Sequence, residues 1–129
     1  MPGGMSFELT EDQELIRKSV AELASKFDDH YWMQKDQAHE FPQEFYDAIA
    51  GGGWLGMTIP EEYGGLGLDY TTFAMIFEEL SKGWMSISGP IGTHHLMAYI
   101  IASFGTEEQK QRFLPRMATG ELKGGLALT

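Results

Sequence analysis

The stretch Ile59-Pro60-Glu61-Glu62-Tyr63-Gly64-Gly65-Leu66-Gly67-Leu68-Asp69 constrains this chain more than any other. Pro60 brings no amide hydrogen and pushes Ile59 towards an extended conformation. Gly64, Gly65 and Gly67 admit a positive φ, or the close approach of another backbone. Such a stretch excludes both a continuous helix and a regular strand. Helical patterns flank it, so the chain divides into helices before the turn and helices after it.

Before the turn, Thr10-Glu11-Asp12-Gln13 has capping-box spacing and starts a first helix. Leu15, Ile16, Val20, Leu23, Ala24 and Phe27 recur at helical spacing and form its apolar stripe. Asp28-Asp29-His30 weakens the pattern, leaving Tyr31, Trp32 and Met33 to extend the helix or pack beneath it. Phe41-Pro42 opens a second helix with Phe45, Ala48 and Ile49 inward. Gly51-Gly52-Gly53 ends it, and Trp54 to Ile59 form a buried apolar connection.

After the turn, Asp69 caps a third helix with Phe73, Ile76, Phe77 and Leu80 on its stripe and Gly83 as its stop. Ser86 to Pro90 reads as a linker. The next helix carries Ile91, Leu96, Met97, Tyr99, Ile100, Ile101 and Phe104. It is apolar around most of its circumference, the mark of a central helix covered on several sides. Thr106-Glu107-Glu108-Gln109 repeats the capping box and begins a fifth helix, which Pro115 is expected to break or kink near Leu114. Leu122 to Thr129 reads as a strand with Leu126 and Leu128 on one face. The fold class is therefore all-α: a bundle of about five helices with a short strand at its C-terminal end. A lone strand has no ladder partner. The chain is thus expected to be the front of a longer protein cut at a domain edge, the alternative being a disordered tail.

The net charge of −10 over 129 residues excludes a nucleic-acid partner and an anionic membrane surface, since no Lys/Arg cluster can neutralise phosphates. The absence of cysteine removes disulfides, thiol nucleophiles and Cys-ligated metals. No apolar run is long enough to span a bilayer, and Met1 to Met5 lacks the features of a signal peptide, so a cytoplasmic protein is expected.

Motifs that suggest chemistry have plainer readings. Gly51, Gly53 and Gly56 satisfy G-x-G-x-x-G, but a helix precedes them and a buried extended stretch follows, the reverse of a dinucleotide site. His94 and His95 point about 100° apart on a helix, so they cannot grip one ion together. They read instead as one buried, hydrogen-bonded histidine and one packing against a neighbour. Asp36, His39 and Glu40 lie in a polar, solvated stretch. Glu61-Glu62 and Glu78-Glu79 read as solvated carboxylates, and Ser86 and Ser88 have no visible His/Asp partners. No catalytic residue and no metal ligand is assigned.

Taken together, several stretches resemble the N-terminal helical domain of the acyl-CoA dehydrogenase family. They are the Ile59–Leu68 turn, Phe41-Pro42 with Trp54-Leu55-Gly56, Phe104 to Pro115, and Leu126-Ala127-Leu128-Thr129. Their order and spacing cover residues 7–129. The resemblance implies a flexible N-terminus over 1–6, a helical domain over 7–120, and over 121–129 the start of a strand leading into a β-domain. It implies an FAD enzyme that oxidises an acyl-CoA thioester between Cα and Cβ, with electron-transfer flavoprotein as acceptor and a homotetramer as the assembly. A dimer or aggregate is the expectation for these residues alone. The family's catalytic glutamate lies beyond Thr129, so these residues alone should show no dehydrogenase activity. By position, Leu126, Leu128 and Thr129 match the flavin-binding strand, and Ser88, Gly89, Gly92 and Leu96 match the acyl-cavity lining. Two alternatives stay open: an acyl-CoA oxidase or flavin monooxygenase of the same superfamily, or a non-enzymatic helical interaction module.

Overall fold

A computed structural model describes residues 6–129, apart from the side chain of Ser88. Residues 1–5 of the expected flexible N-terminus lie outside the described residues. Six α-helices follow in order: α1 (Glu11–Ala24), α2 (Asp29–Ala38), α3 (Gln43–Gly51), α4 (Tyr70–Ser81), α5 (Ser88–Phe104) and α6 (Glu107–Ala118). Single 3-10 turns occupy Trp54–Gly56, Glu61–Tyr63 and Met85–Ile87.

The predicted caps are formed. The Thr10 and Thr106 hydroxyls accept from the backbone N–H of Gln13 and Gln109, and each glutamine side chain accepts in return from its cap's N–H. Asp69 accepts from the Thr72 amide at 2.8 Å. These bonds satisfy donors that every helix start leaves open.

Four expectations need correction. α2 is a helix of its own, capped by Asp28, whose side chain accepts from the Tyr31 amide at 2.9 Å. Its polar sequence hides it: Trp32 is its one buried residue, seated among Phe27, Tyr31, Phe45 and Trp84. Ser88 to Pro90 is not linker but the first turn of α5, where a missing amide hydrogen costs no helical bond. α6 runs on through Pro115, because Leu114, Met117 and Ala118 around it are buried and hold the last turn. Residues 123–129 form neither helix nor strand, and no strand occurs among the described residues to pair with them. The all-α class itself holds.

Two apolar clusters share one connection. The first gathers Val20, Trp32, Phe45, Ile49, Met75, Ile76 and Leu80, with Leu55 and Met57 of the connection. The second gathers Ala98, Leu114, Met117 and Ala118, with Ile59 of the same connection and Tyr63 of the turn after it. α1 packs along α4, joined by a 3.2 Å hydrogen bond from Gln13 Nε2 to Thr72 Oγ1, and α5 packs on α6. Leu15, placed on the inner stripe of α1 by periodicity, is exposed. α5 is covered on one side only. Ile91, His94, His95 and Ala98 are buried, while Leu96, Tyr99, Ile100 and Phe104 are exposed.

The turn folds back on the connection it follows. Leu66 N–H donates to Gly56 O at 2.9 Å, Gly67 N–H to Ile59 O at 2.9 Å and Leu68 N–H to Met57 O at 2.8 Å. Gly64 and Gly67 take positive φ of 86° and 59°. Gly65 has no positive φ, and glycine is required there for another reason. A Cβ on Gly65 would sit 2.0 Å from the Ile59 carbonyl oxygen. Glu61–Tyr63, within the turn, makes a single 3-10 turn rather than irregular chain.

Both histidines of α5 are buried and both are hydrogen-bonded. His94 Nδ1 accepts from the Gly124 amide at 3.2 Å, which places the ring proton on Nε2. That N–H is shared between the carbonyls of Leu55 and Met117, each at 3.1 Å. His95 Nε2 lies 3.2 Å from Trp54 O and its Nδ1 lies 3.1 Å from Thr58 Oγ1. A carbonyl can only accept, so His95 also carries its proton on Nε2, and the Thr58 hydroxyl donates to Nδ1. Burial lowers the pKa of both rings. His95 falls to about 4, burial acting first and the neighbouring His94 second, against the opposing bond to Trp54 O.

Two outcomes follow from this packing. Gly65→Val should lower stability by about 3 kcal/mol or more, and Tm by roughly 10 °C, because a backbone carbonyl cannot move aside. Unchanged thermal unfolding would show that the turn does not press on Ile59. The second concerns acid. A ring neutral in the fold and titrating near 6.5 when unfolded contributes stability that is full above that pH. The contribution is lost as pH falls towards the folded value. His95 alone should account for about 2 kcal/mol of loss between pH 7 and pH 5, above the range of ordinary carboxylates. Urea unfolding at both pH values measures it, and equal midpoints would contradict the neutral buried rings.

Candidate functional site

One face of α4 and one face of α5 enclose a groove of about 470 Å³. α4 supplies Tyr70, Phe73 and Phe77, and α5 supplies Gly92, His95, Leu96 and Tyr99. The spacings i, i+3, i+7 and i, i+3, i+4, i+7 each put their residues on a single helix face. Thr58, from the connection, completes the lining. α5 reaches this position because His94 and His95 tie it to the Trp54 and Leu55 carbonyls.

The groove is apolar in a particular way. Its two inner polar side chains, Thr58 and His95, are engaged with each other, and His95 also holds Trp54 O. The imidazole is neutral because burial disfavours its charged form. Polar groups satisfied in this manner ask nothing of a ligand. The exposed Tyr70 and Tyr99 carry the remaining hydroxyls, their rings 6.2 Å apart edge to face. At Gly92 an added Cβ would stand 3.5 Å from Phe77 Cζ, so any side chain there projects across the groove onto that ring. Such a surface can exclude water from an alkyl or aryl group. It carries no nucleophile or base. Among the described residues no group of His, Asp and Glu is arranged to hold a metal ion.

The structure brings Gly92 and Leu96 together in the groove. Gly89 is exposed on the first turn of α5 with open space around it, and it does not line the groove. Ser88 begins α5, and its side chain lies outside the described residues. Leu126 and Leu128 are 49% and 84% exposed, and residues 123–129 are irregular. A flavin bound at these positions would need enclosing walls, and Leu126, Leu128 and Thr129 build none by themselves. They do not fit the group on their own. Thr58, Tyr70, Phe73, Phe77, His95 and Tyr99 were missed by motif reasoning. The helix-face spacing of 70/73/77 against 92/95/96/99 was the available signal.

A sequence model described as "Acyl-CoA dehydrogenase, N-terminal domain" matches residues 10–121. The chain is 32% identical to acyl-CoA dehydrogenase FadE12 of Mycobacterium tuberculosis over 124 residues, 96% of this chain and 32% of that protein. It is 36% identical to the short-chain specific acyl-CoA dehydrogenase of Clostridium acetobutylicum over 126 residues, 97% of this chain and 33% of that one. Among solved structures, the glutaryl-coenzyme A dehydrogenase–glutaryl-CoA complex superposes with a TM-score of 0.86 at 28% identity. That match covers 93% of this chain and 31% of the other. The chain thus spans about a third of the length of the relatives it matches. The six-helix arrangement and the match across residues 10–121 place this chain in the acyl-CoA dehydrogenase family, as its N-terminal helical domain.

Proposed function

We propose that this chain forms one wall of the acyl-binding cleft in an FAD-dependent acyl-CoA dehydrogenase. Residues 7–120 act as the helical domain, and residues 121–129 lead towards a neighbouring β-domain. The observation that carries this reading is the α4/α5 groove, with its apolar lining and its internally satisfied Thr58–His95 pair. Family membership supplies the reaction class, the removal of hydrogen from the Cα–Cβ bond of a thioester. It also supplies the expected acceptor, electron-transfer flavoprotein, and the expected homo-oligomer. The relative solved as a glutaryl-CoA complex supports a thioester ligand. No residue described here is given the role of base.

Within that enzyme the chain's own residues do physical work. Phe73, Phe77 and Leu96 take the acyl tail out of water, each buried methylene contributing about 0.8 kcal/mol. A charged imidazole beside the tail would have to be solvated, so burial that keeps His95 neutral keeps the wall apolar. Gly92, having no side chain, leaves the Phe77 ring uncovered towards the tail.

Titration of the ¹⁵N-labelled chain with hexanoyl-CoA tests this directly. Amide shifts are expected at Phe77, Gly92, Leu96 and Tyr99, with much smaller ones from free CoA. Gly92→Leu should remove the acyl-dependent part while leaving the fold intact. Equal shifts from CoA and hexanoyl-CoA, or shifts confined to other helices, would contradict the reading.

A further inference from the structure

The chemistry of the groove wall goes beyond "apolar". Phe73 and Phe77 lie 5.6 Å apart with ring planes tilted by 30°. Phe73 meets the His95 imidazole edge to face at 5.3 Å and 68°. Tyr70 meets Tyr99 edge to face at 6.2 Å and 69°. Leu96 is the one aliphatic side chain of any length among the lining residues. A linear alkyl tail gains only its buried area from such a wall. A ring gains that area and, in addition, the quadrupole interactions that favour offset and edge-to-face pairs.

The shape of the groove agrees with its chemistry. The space left by Gly92 lies opposite the Phe77 ring, where even a methyl group would reach contact at 3.5 Å. No ring fits between Gly92 and Phe77 at that spacing; the missing side chain instead leaves the Phe77 ring open to the groove. The polar atoms there are already paired, Thr58 with His95 and His95 with Trp54 O. A tail bearing a carboxylate or hydroxyl would find no buried partner beside them and would lose its hydration.

We propose that the tail of the preferred acyl group ends in an unsubstituted ring, so that the substrate class is an arylalkanoyl thioester rather than a straight-chain one. This rests on the acyl-cleft reading above. The ring would sit against the Phe73 and Phe77 rings of α4, in the groove that Leu96 and Tyr99 of α5 also line. The short alkyl spacer would run past Leu96 towards the exposed Tyr70 and Tyr99.

The test compares 3-phenylpropanoyl-CoA with nonanoyl-CoA, which has the same acyl carbon count, and with free CoA. Binding is followed by amide shifts of the whole 129-residue chain. The phenyl ligand should bind about tenfold more tightly than nonanoyl-CoA, the gain of one or two aromatic pairs. Its ring protons should give nuclear Overhauser contacts to Phe73 and Phe77. Phe77→Leu, which removes a ring and keeps an apolar side chain, should bring the two affinities to within about threefold of each other. Equal affinities, or tighter nonanoyl-CoA, would overturn the ring assignment and leave the acyl cleft standing. If neither thioester shifts the groove residues more than free CoA does, the acyl cleft fails and the ring assignment fails with it.

Discussion

Two neighbouring imidazoles on one helix hold three backbone carbonyls, and the remaining architecture follows from that. His94 and His95 stand edge to face with ring centroids 5.5 Å apart, yet each reaches its own partners. His94 binds Leu55 O and Met117 O, and so ties α5 both to the connection before the turn and to α6. His95 binds Trp54 O and the Thr58 hydroxyl. The peptide groups concerned lie in a 3-10 turn and at a helix end, where carbonyls lack helical donors. Burying those carbonyls unpaired would cost more than the net gain of the hydrogen bonds. The neutral imidazoles are thus required by the connection as much as by α5.

The connection is constrained from its other side by the glycine-rich turn. Leu55 and Met57 face one apolar cluster, and Ile59 faces the other, so the segment belongs to both. The turn lies flat against it only because Gly65 has no side chain to meet the Ile59 carbonyl. Gly56 is crowded less severely, an added Cβ there standing 3.0 Å from Ala118 Cβ and 3.3 Å from Gly65 Cα. With the connection fixed between these contacts, α4 leaves the turn in one direction and α5 is pinned beside it. The groove is the space between them. Its apolarity and its position therefore have the same origin.

Much of this was readable in the residues. Thr10, Asp69 and Thr106 announce their helices because capping is local chemistry, with donor and acceptor three residues apart. α2 was not readable, since a single buried Trp32 gives no periodicity and it packs against rings from the segment after α1, from α3 and from the segment after α4. Pro115 was misread because proline's local cost was weighed without the burial of Leu114 and Met117. α5 was misread in the opposite sense. Its apolar circumference implied cover on several sides, yet Tyr99 and Phe104 stand open. In the groove, Gly92 and Leu96 were reached by resemblance, while Phe73, Phe77 and His95 needed the pairing of two helix faces. That pairing is a tertiary fact which no single segment contains.

The placement of α5 depends on the protonation of the two imidazoles, and long-range ¹H–¹⁵N correlation of the histidine rings at about pH 6 reads it directly. Neutral Nε2–H tautomers for both His94 and His95, with Nδ1 unprotonated, are the predicted result. A neutral ring with its proton on Nδ1 would lose the bonds to Leu55, Met117 and Trp54, and an imidazolium at either ring would leave Nδ1 unable to accept from Gly124 or Thr58; either result would contradict this placement of α5.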